Sequence, residues 1–413
     1  MRRTLLSLAL PLLAACHPDV VTAPGALPEL KELPRPLTAS ERRLIDAGPA
    51  FGLALLREVD RAHRGENVFI SPLSASMALG MTLNGARGAT LDSMRAALGF
   101  GDAPLATVNA SYRSLIDLLR GLDQGVDFRI ANSVWYDAPR IAVLASFAST
   151  AKQYFDAQVS GLDFRSPSAV AAINDWVKAG TNGKIETIID GSIPDDARVY
   201  LINAMYFKGT WRDGFARAET QPAPFAAPGG AVTASLMHQD ASFRYAEDEL
   251  AQVVELPYGR GAYVMTVVLP REGVALESLV GGALAERWAR WTSSLHPQEV
   301  KLWLPKFRLE FGDSLNAPLR ALGMGIAFSD SADFTGMANR RDLAISRVLQ
   351  KTFVDVYEEG TEAAAVTAVE IGVTSAGPPT PVTVRVDRPF VFALRERLSG
   401  TLLFLGKIVV PRG

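Results

Sequence analysis

The segment that decides the fold reads Glu358-Glu359-Gly360-Thr361-Glu362-Ala363-Ala364-Ala365. Small residues continue from it as far as Pro381, and the stretch ends in glycine and prolines, which by composition alone indicates an exposed linker. Every second residue from Thr361 to Ile371 is uncharged, however, while Glu362 and Glu370 belong to the other set. A strand sends alternate side chains to opposite faces. The spacing therefore predicts a loop that can become a strand with one small, uncharged face buried.

The chain around this segment has the pattern of an α+β protein. Helical spacing dominates the first half, where Ser40 is the predicted N-cap of a helix that ends near His63. Ser71-Pro72 starts a second helix, which is apolar on nearly all sides and is therefore predicted to be buried. Strand patterns dominate the second half, with no alternating βαβ units.

Composition excludes several classes of protein. The 413 residues are 48% hydrophobic and carry 42 Lys and Arg against 44 Asp and Glu, which argues against disorder and against a nucleic-acid partner. One cysteine and four scattered histidines cannot form an internal disulfide or a zinc site, so no metal and no cofactor is predicted. Length alone would favour two or three domains.

Two short motifs resemble those of enzymes, but neither has its partners. Gly312-Asp313-Ser314-Leu315 matches a lipase signature whose serine needs a histidine, and no histidine follows His296. Ser314 is better interpreted as a helix cap. The Ser-x-x-Lys motif at Ser149 lacks the companion motifs of penicillin-binding enzymes. We therefore predict no catalytic residue.

The N-terminus has the layout of a secretory signal, with a basic start and an apolar run in residues 1–15. Leu13-Ala14-Ala15-Cys16 resembles the lipobox of bacterial lipoproteins, which implies that Cys16 is lipidated; an ordinary signal peptide with a chance cysteine is the alternative. The proline-rich segment 16–37 is predicted to be an extended tether. These features predict an extracytoplasmic protein, anchored to a bacterial membrane in the periplasm or at the cell surface.

Five stretches resemble the serpin family, in the order in which that family has them: Asn67–Ser74, Asn203–Trp211, Leu304–Phe307, Glu358–Ala365 and Asp387–Phe392. The resemblance implies a single domain over 38–413, with three β-sheets, eight or nine helices and an exposed reactive loop at about 358–381. It also implies a metastable, monomeric inhibitor that acts as a suicide substrate. A serine protease cleaves the loop, which then enters the main sheet and traps the acyl-enzyme.

Family spacing places the reactive bond fourteen positions after Gly360, at Thr374 and Ser375. The loop is about four residues longer than is common in the family, so bonds that involve Val373 or Ala376 remain open. No Arg, Lys, Phe, Leu or Tyr occurs from Gly360 to Val384. This composition favours proteases with a small first pocket, of the elastase or subtilisin type.

The resemblance also assigns roles outside the loop. The hinge comprises Glu358, Glu359, Gly360, Thr361, Glu362, Ala363, Ala364 and Ala365. Ser71, Ser74 and Asn203 match a polar cluster that controls sheet opening, in which Gln350 replaces the family's usual histidine. Trp211, Lys306 and Glu358 match the site where the loop enters, with an ion pair between Lys306 and Glu358. A non-inhibitory serpin-fold binding protein of the bacterial envelope is the alternative. Such members tend to carry bulky or charged residues in the hinge, whereas this chain carries only Val366 where alanine or another small residue is commoner.

Overall fold

The computed structural model describes residues 28–361 and 381–412. Within these ranges the chain forms nine α-helices: α1 (Ala39–Ala62), α2 (Pro72–Thr82), α3 (Gly88–Leu98), α4 (Leu105–Arg120), α5 (Ala145–Phe155), α6 (Pro167–Gly180), α7 (Leu276–Val280), α8 (Leu284–Ser294) and α9 (Asn316–Leu319). Six of them precede residue 199, as the helical spacing predicts. Ser71 caps α2 and Pro72 is its first residue, also as predicted.

The strands of the described part are β1 (Val68–Ile70), β2 (Val126–Asp137), β3 (Gln158–Leu162), β4 (Val199–Thr210), β5 (Gln221–Ala227), β6 (Gly230–Glu247), β7 (Ala251–Tyr258), β8 (Tyr263–Pro270), β9 (His296–Pro305), β10 (Phe307–Ser314), β11 (Arg347–Tyr357), β12 (Gly360–Thr361), β13 (Val382–Arg385), β14 (Phe390–Glu396) and β15 (Leu402–Ile408). These strands form three groups. The first is a six-stranded sheet. The other two share the long β6, which pairs with the group β1, β15, β14, β8 and β7 on one side and with the group β5, β9 and β13 on the other. The predicted α+β class is confirmed.

The six-stranded sheet, in the order β10-β11-β12-β4-β2-β3, separates two parts of the core. We call the face toward α2 and the β6-linked strands inner, and the face under α6 outer. Val348, Val354 and Val356 of β11 belong to the inner core, whereas Leu349 and Phe353 pack with α6 residues in the outer one. Alternate residues of the central strands are therefore buried on opposite faces, as expected for a sheet covered on both sides.

The predicted tether, 16–37, is described only from Pro28 onward, and this part lies against the domain. Arg260 Nε donates to the Pro28 carbonyl at 3.0 Å, and Arg397 Nη2 donates to the Leu30 carbonyl at 2.9 Å. Further along, Arg35 Nη2 donates to Ser114 Oγ of α4 at 2.8 Å. We call residues 28–37 the N-terminal strap. It does not hold the body at a distance, and none of the helices in the described ranges has the length and apolarity needed to cross a membrane.

Two predicted helix caps differ from the structure. Thr38 caps α1 instead of Ser40, because Thr38 Oγ1 accepts from the Glu41 N–H while the Glu41 carboxylate accepts from the Thr38 N–H, a capping box. Ser314 is the last residue of β10 and caps no helix; α9 begins two residues later. In both cases the cap position was misjudged by one or two residues.

Candidate functional site at the mouth of a sheet cleft

Strands β4 and β11 pair directly at one end and are separated at the other. Arg347–Thr352 pair in parallel with Tyr200–Met205, and beyond them the strands part to admit β12. Thr361 faces Gly209 of β4 and Val356 of β11, both in antiparallel pairing. We call this gap, bounded by β4 and β11, the cleft. Gly360 and Thr361, the two residues after Glu359, are therefore already a strand of the sheet.

Only glycine fits where the hinge turns into the cleft. Gly360 has φ 147°, and a Cβ there would lie 2.1 Å from the Gly209 carbonyl oxygen. An L side chain would thus be both conformationally strained and in collision with β4. The close approach lets Gly360 pair with Thr210 on one side and Tyr357 on the other.

Thr361 is fully buried on the inner face, beside a pair of stacked aromatic rings. Its hydroxyl lies 2.6 Å from Tyr258 Oη, and burial raises the pKa of that phenol well above 10, so both groups remain protonated. The Tyr258 ring stacks on Trp211 at 4.2 Å between centroids. Trp211 Nε1 in turn donates to the Tyr357 carbonyl at 2.9 Å. These contacts attach Thr361 of the hinge to both walls of the cleft.

Glu358 and Glu359, the two hinge glutamates within the described residues, are nearly buried, and each is paired with a cation. Lys306 Nζ lies 2.9 Å from Glu358 Oε2, and Thr220 Oγ1 donates to Glu358 Oε1 at 2.8 Å. Burial raises the pKa of the Glu358 carboxyl, but the hydrogen bonds from Lys306, the backbone and Thr220 lower it by more. The pKa of Glu358 therefore lies below the ordinary 4.5. Arg217 Nε donates to Glu359 Oε1 at 2.7 Å. The predicted ion pair between Lys306 and Glu358 is therefore present, and Glu359 has its own partner, Arg217, which was not predicted.

The closed end of the cleft carries a row of polar residues directly across the sheet. In register, Asp313 of β10 faces Gln350 of β11, which faces Asn203 of β4, which faces Asn132 of β2. Gln350 Nε2 donates to the Ser71 carbonyl at 2.9 Å, and the Ser71 N–H donates to Gln350 Oε1 at 2.8 Å. The Gln350 amide therefore both donates to and accepts from the backbone of Ser71, the N-cap of α2.

The other members of the predicted cluster are close but differently bonded. The Ser74 N–H donates to Ser71 Oγ at 3.3 Å, and Asn203 Nδ2 donates to Asn132 Oδ1 at 2.5 Å. Asn203 Oδ1 and Ser74 Oγ are buried without a hydrogen-bond partner among the described residues. A buried acceptor without a donor is unfavourable. The four predicted residues are thus brought together, and Asn132 joins them.

Several predicted site residues lie outside the described residues: Cys16, Glu362, Ala363, Ala364, Ala365, Val373, Thr374, Ser375 and Ala376. The exposure predicted for the loop does not extend to Glu358–Thr361, all of which are buried. Sequence reasoning missed Tyr258, Asn132, Arg217 and Thr220. Asn132 gave a usable signal, as a polar residue within an apolar strand pattern, whereas Tyr258 lies between Pro257 and Gly259, residues that indicate a turn. No group of three or more potential metal ligands is found in the described ranges.

Comparison with known proteins gives consistent results. The family profile described as "Serpin (serine protease inhibitor)" matches residues 46–411. The leukocyte elastase inhibitor of Sus scrofa is 36% identical over 89% of this chain and 100% of its own. The native structure of tengpin, a thermophilic serpin, superposes with a TM-score of 0.82 at 30% identity over 92% of this chain and 96% of its own. Human thyroxine-binding globulin also reaches 0.82, at 28% identity over 91% and 100%.

Proposed function

The chain belongs to the serpin family of serine protease inhibitors, and we propose that it is an inhibitory member that acts as a suicide substrate. A family described as serine protease inhibitors is consistent with the prediction that this chain has no catalytic residue. The observation that carries the proposal is the position of β12. Thr361 already lies between β4 and β11, so that the strand which the loop would form has its first pairs in place.

In the proposed inhibition reaction the protease supplies the nucleophile. Its serine hydroxyl attacks the carbonyl carbon of the residue before the reactive bond, and its histidine takes the hydroxyl proton. The amine on the far side of the bond leaves with that proton, and an ester joins inhibitor and protease. The freed loop then extends β12 into the cleft and displaces the attached protease before water hydrolyses the ester.

We place the reactive bond between Thr374 and Ser375, with the neighbouring bonds at Val373 and Ala376 as alternatives. The small uncharged residues there fit proteases with a small first pocket, of the elastase or subtilisin type. The relationship to a leukocyte elastase inhibitor, named for an elastase, supports the same class of target.

We further propose that Cys16 carries the lipid that anchors the protein to a bacterial membrane, on its extracytoplasmic side. The support is the lipobox-like Leu13-Ala14-Ala15-Cys16 at the end of a signal-like segment. Metabolic labelling with a tagged fatty acid tests this, with C16S as the control. Labelling that persists in C16S would overturn the assignment.

The inhibitory function is tested on a soluble form that lacks residues 1–16 and so retains the N-terminal strap. Incubation with elastase-like and subtilisin-like proteases should give a covalent complex that survives denaturing gel electrophoresis. Mass determination of the released peptide identifies the reactive bond. If each protease cleaves the loop and stays active, the protein does not inhibit it.

A thermal melt before and after cleavage separates an inhibitor from a non-inhibitory binding protein of the bacterial envelope. Insertion would extend the two-residue β12 into a full central strand of the six-stranded sheet, so the cleaved inhibitor should melt at a much higher temperature than the intact one. A binding protein whose loop does not insert would melt at the same temperature in both forms.

A further inference from the structure

His63 lies where the end of α1 meets the edge of the six-stranded sheet. It is the C-cap of α1, and its N–H donates to the Val59 and Asp60 carbonyls. Its ring contacts β10, the edge strand, where it meets the Phe311 ring edge-on at 5.1 Å between centroids. The His63 side chain is 24% exposed, so it can exchange protons with solvent. The imidazole therefore has a defined position between two elements and remains able to titrate.

Both nitrogens of the His63 ring face a carboxylate. Nδ1 lies 3.0 Å from Glu66 Oε2, in the turn after α1, and Nε2 lies 3.1 Å from Asp313 Oδ2, on β10. An ionised carboxylate only accepts hydrogen bonds, and a neutral imidazole has a single N–H. A neutral ring would therefore donate to one of these carboxylates and turn a lone pair toward the other. Only the imidazolium, which has an N–H on each nitrogen, can bind both.

The charges around His63 favour the same protonated form. Lys407 of β15 donates to the His63 carbonyl at 3.0 Å, but it also forms an ion pair with Asp60 of α1, so that these two charges offset each other. Two carboxylates then face one imidazole, and the C-terminus of a helix also favours a positive charge. Burial lowers the pKa of His63, but the hydrogen bonds to Glu66 and Asp313 and the charges of both raise it by more. The pKa of His63 therefore lies above the ordinary 6.5.

Two contacts tie β10 to parts of the chain outside its sheet, one near each end of the strand. Near the start, the Arg308 N–H donates to the Arg412 carbonyl at 2.6 Å. Near the end, Asp313 is bound by His63, and it lies opposite Gln350 of β11, at the closed end of the cleft. The backbone hydrogen bond does not titrate, whereas the contact with His63 does. A change of pH should therefore act on one end of β10 and leave the other as it is.

We propose that His63 is a proton-controlled clasp that joins the end of α1 to the edge strand β10. With a hydrogen on each ring nitrogen, His63 binds Glu66 and Asp313 together. Loss of one proton to solvent leaves a ring that donates to only one of them, and the remaining bond is no longer one between two ionised groups, so the clasp weakens whichever nitrogen keeps its hydrogen. The inference concerns the intact protein and holds whether or not the protein inhibits a protease.

The protonation of His63 is measured by NMR of its ring protons between pH 5 and pH 9, in the soluble form that lacks residues 1–16, with H63Q to assign the signal. The midpoint should lie above 6.5, and D313N and E66Q should each lower it, by on the order of one pH unit. E310Q, on the same strand but paired with Lys351, is the matched control and should leave it unchanged. A midpoint at or below 6.5, or one that neither D313N nor E66Q lowers, would overturn the proposal.

Thermal melts of the intact protein test whether this proton stabilises the fold. Because the pKa of His63 is raised in the folded protein, its contribution is complete below pH 6.5 and is lost as the pH rises through the raised value. The melting temperature of wild type should therefore fall more between pH 6 and pH 8 than that of H63Q, whose amide does not titrate. The control H296Q removes an exposed histidine and should behave like wild type. Equal pH dependence in wild type and H63Q would refute the clasp.

Hydrogen exchange locates the effect within β10. After correction for the intrinsic rise of exchange with pH, protection of the amides around Asp313 should fall between pH 6 and pH 8. The fall should reach up to about tenfold, the factor that a difference of one in pKa represents. Protection around Arg308 should stay constant, and in H63Q neither end should change. No loss around Asp313, or an equal loss at both ends, would show that His63 does not clasp this strand.

Discussion

The two ends of the cleft hold the same pair of strands in opposite ways. At the mouth, β4 and β11 are kept apart by Gly360 and Thr361, which ion pairs and stacked rings fix in place. At the closed end, the strands pair directly and Gln350 attaches β11 to α2. The mouth thus holds the two residues of β12 between β4 and β11, whereas the closed end holds these two strands together. Variants at each end should accordingly affect different forms of the protein.

T361R should have the largest effect, because it places a charge where the side chain is fully buried. An unpaired buried charge costs several kcal/mol, so the hinge should leave the cleft and the loop should be cleaved without trapping the protease. Gel electrophoresis should show cleaved inhibitor and no covalent complex. T383R, at an exposed position, should still form the complex. Undiminished trapping by T361R would contradict entry through this mouth.

G360A should have the next largest effect, because its Cβ would collide with the Gly209 carbonyl. Strained backbone of this kind costs on the order of 1–3 kcal/mol, which should be enough to unpair β12. Hydrogen exchange at Thr361 and Gly209 should become faster in the intact protein. The control G229A has open space around its Cβ position and should exchange at the wild-type rate.

K306M should weaken the mouth more modestly. It leaves the Glu358 carboxylate nearly buried without its cation, a loss of about 1–3 kcal/mol. Because the pKa of Glu358 is lowered in the folded protein, its contribution is present above pH 4.5 and is lost as the pH falls through the lowered value. Melts at pH 7 should therefore separate K306M from wild type, and melts at low pH should bring them together. The exposed K301M is the control.

Q350H should have the smallest effect at neutral pH and should add a pH response at the closed end. A histidine buried beside Ser71 must be neutral to accept from its N–H, and burial lowers its pKa. The closed cleft should then lose stability as the pH falls below about 6.5. Wild type has an amide there, which does not titrate. Melts of both proteins from pH 8 to pH 5 measure the difference; parallel curves would mean that residue 350 does not control opening.

Short motifs in the sequence predicted part of the candidate site. Contacts between segments that are distant in the chain were not predicted. The Lys306 to Glu358 pair and the helix that begins after Ser71 follow from short matched stretches. Tyr258 and Arg217 were missed because nothing in their own neighbourhoods indicates that they reach the hinge from 103 and 142 residues away. The depth of the hinge in the sheet depends on three strands at once, so no single pattern could reveal it.

The N-terminal strap determines how the body would respond to traction on its N-terminus. Glu29 and Leu30 are held by Arg397, and Arg35 is held by Glu41 and Ser114. A force applied ahead of Pro28 would therefore be borne first by the Arg397 contacts and then by Arg35, which passes it to Glu41 of α1 and Ser114 of α4. They would yield one after another, so that a moderate pull would be dissipated at the surface and would leave the cleft unstrained.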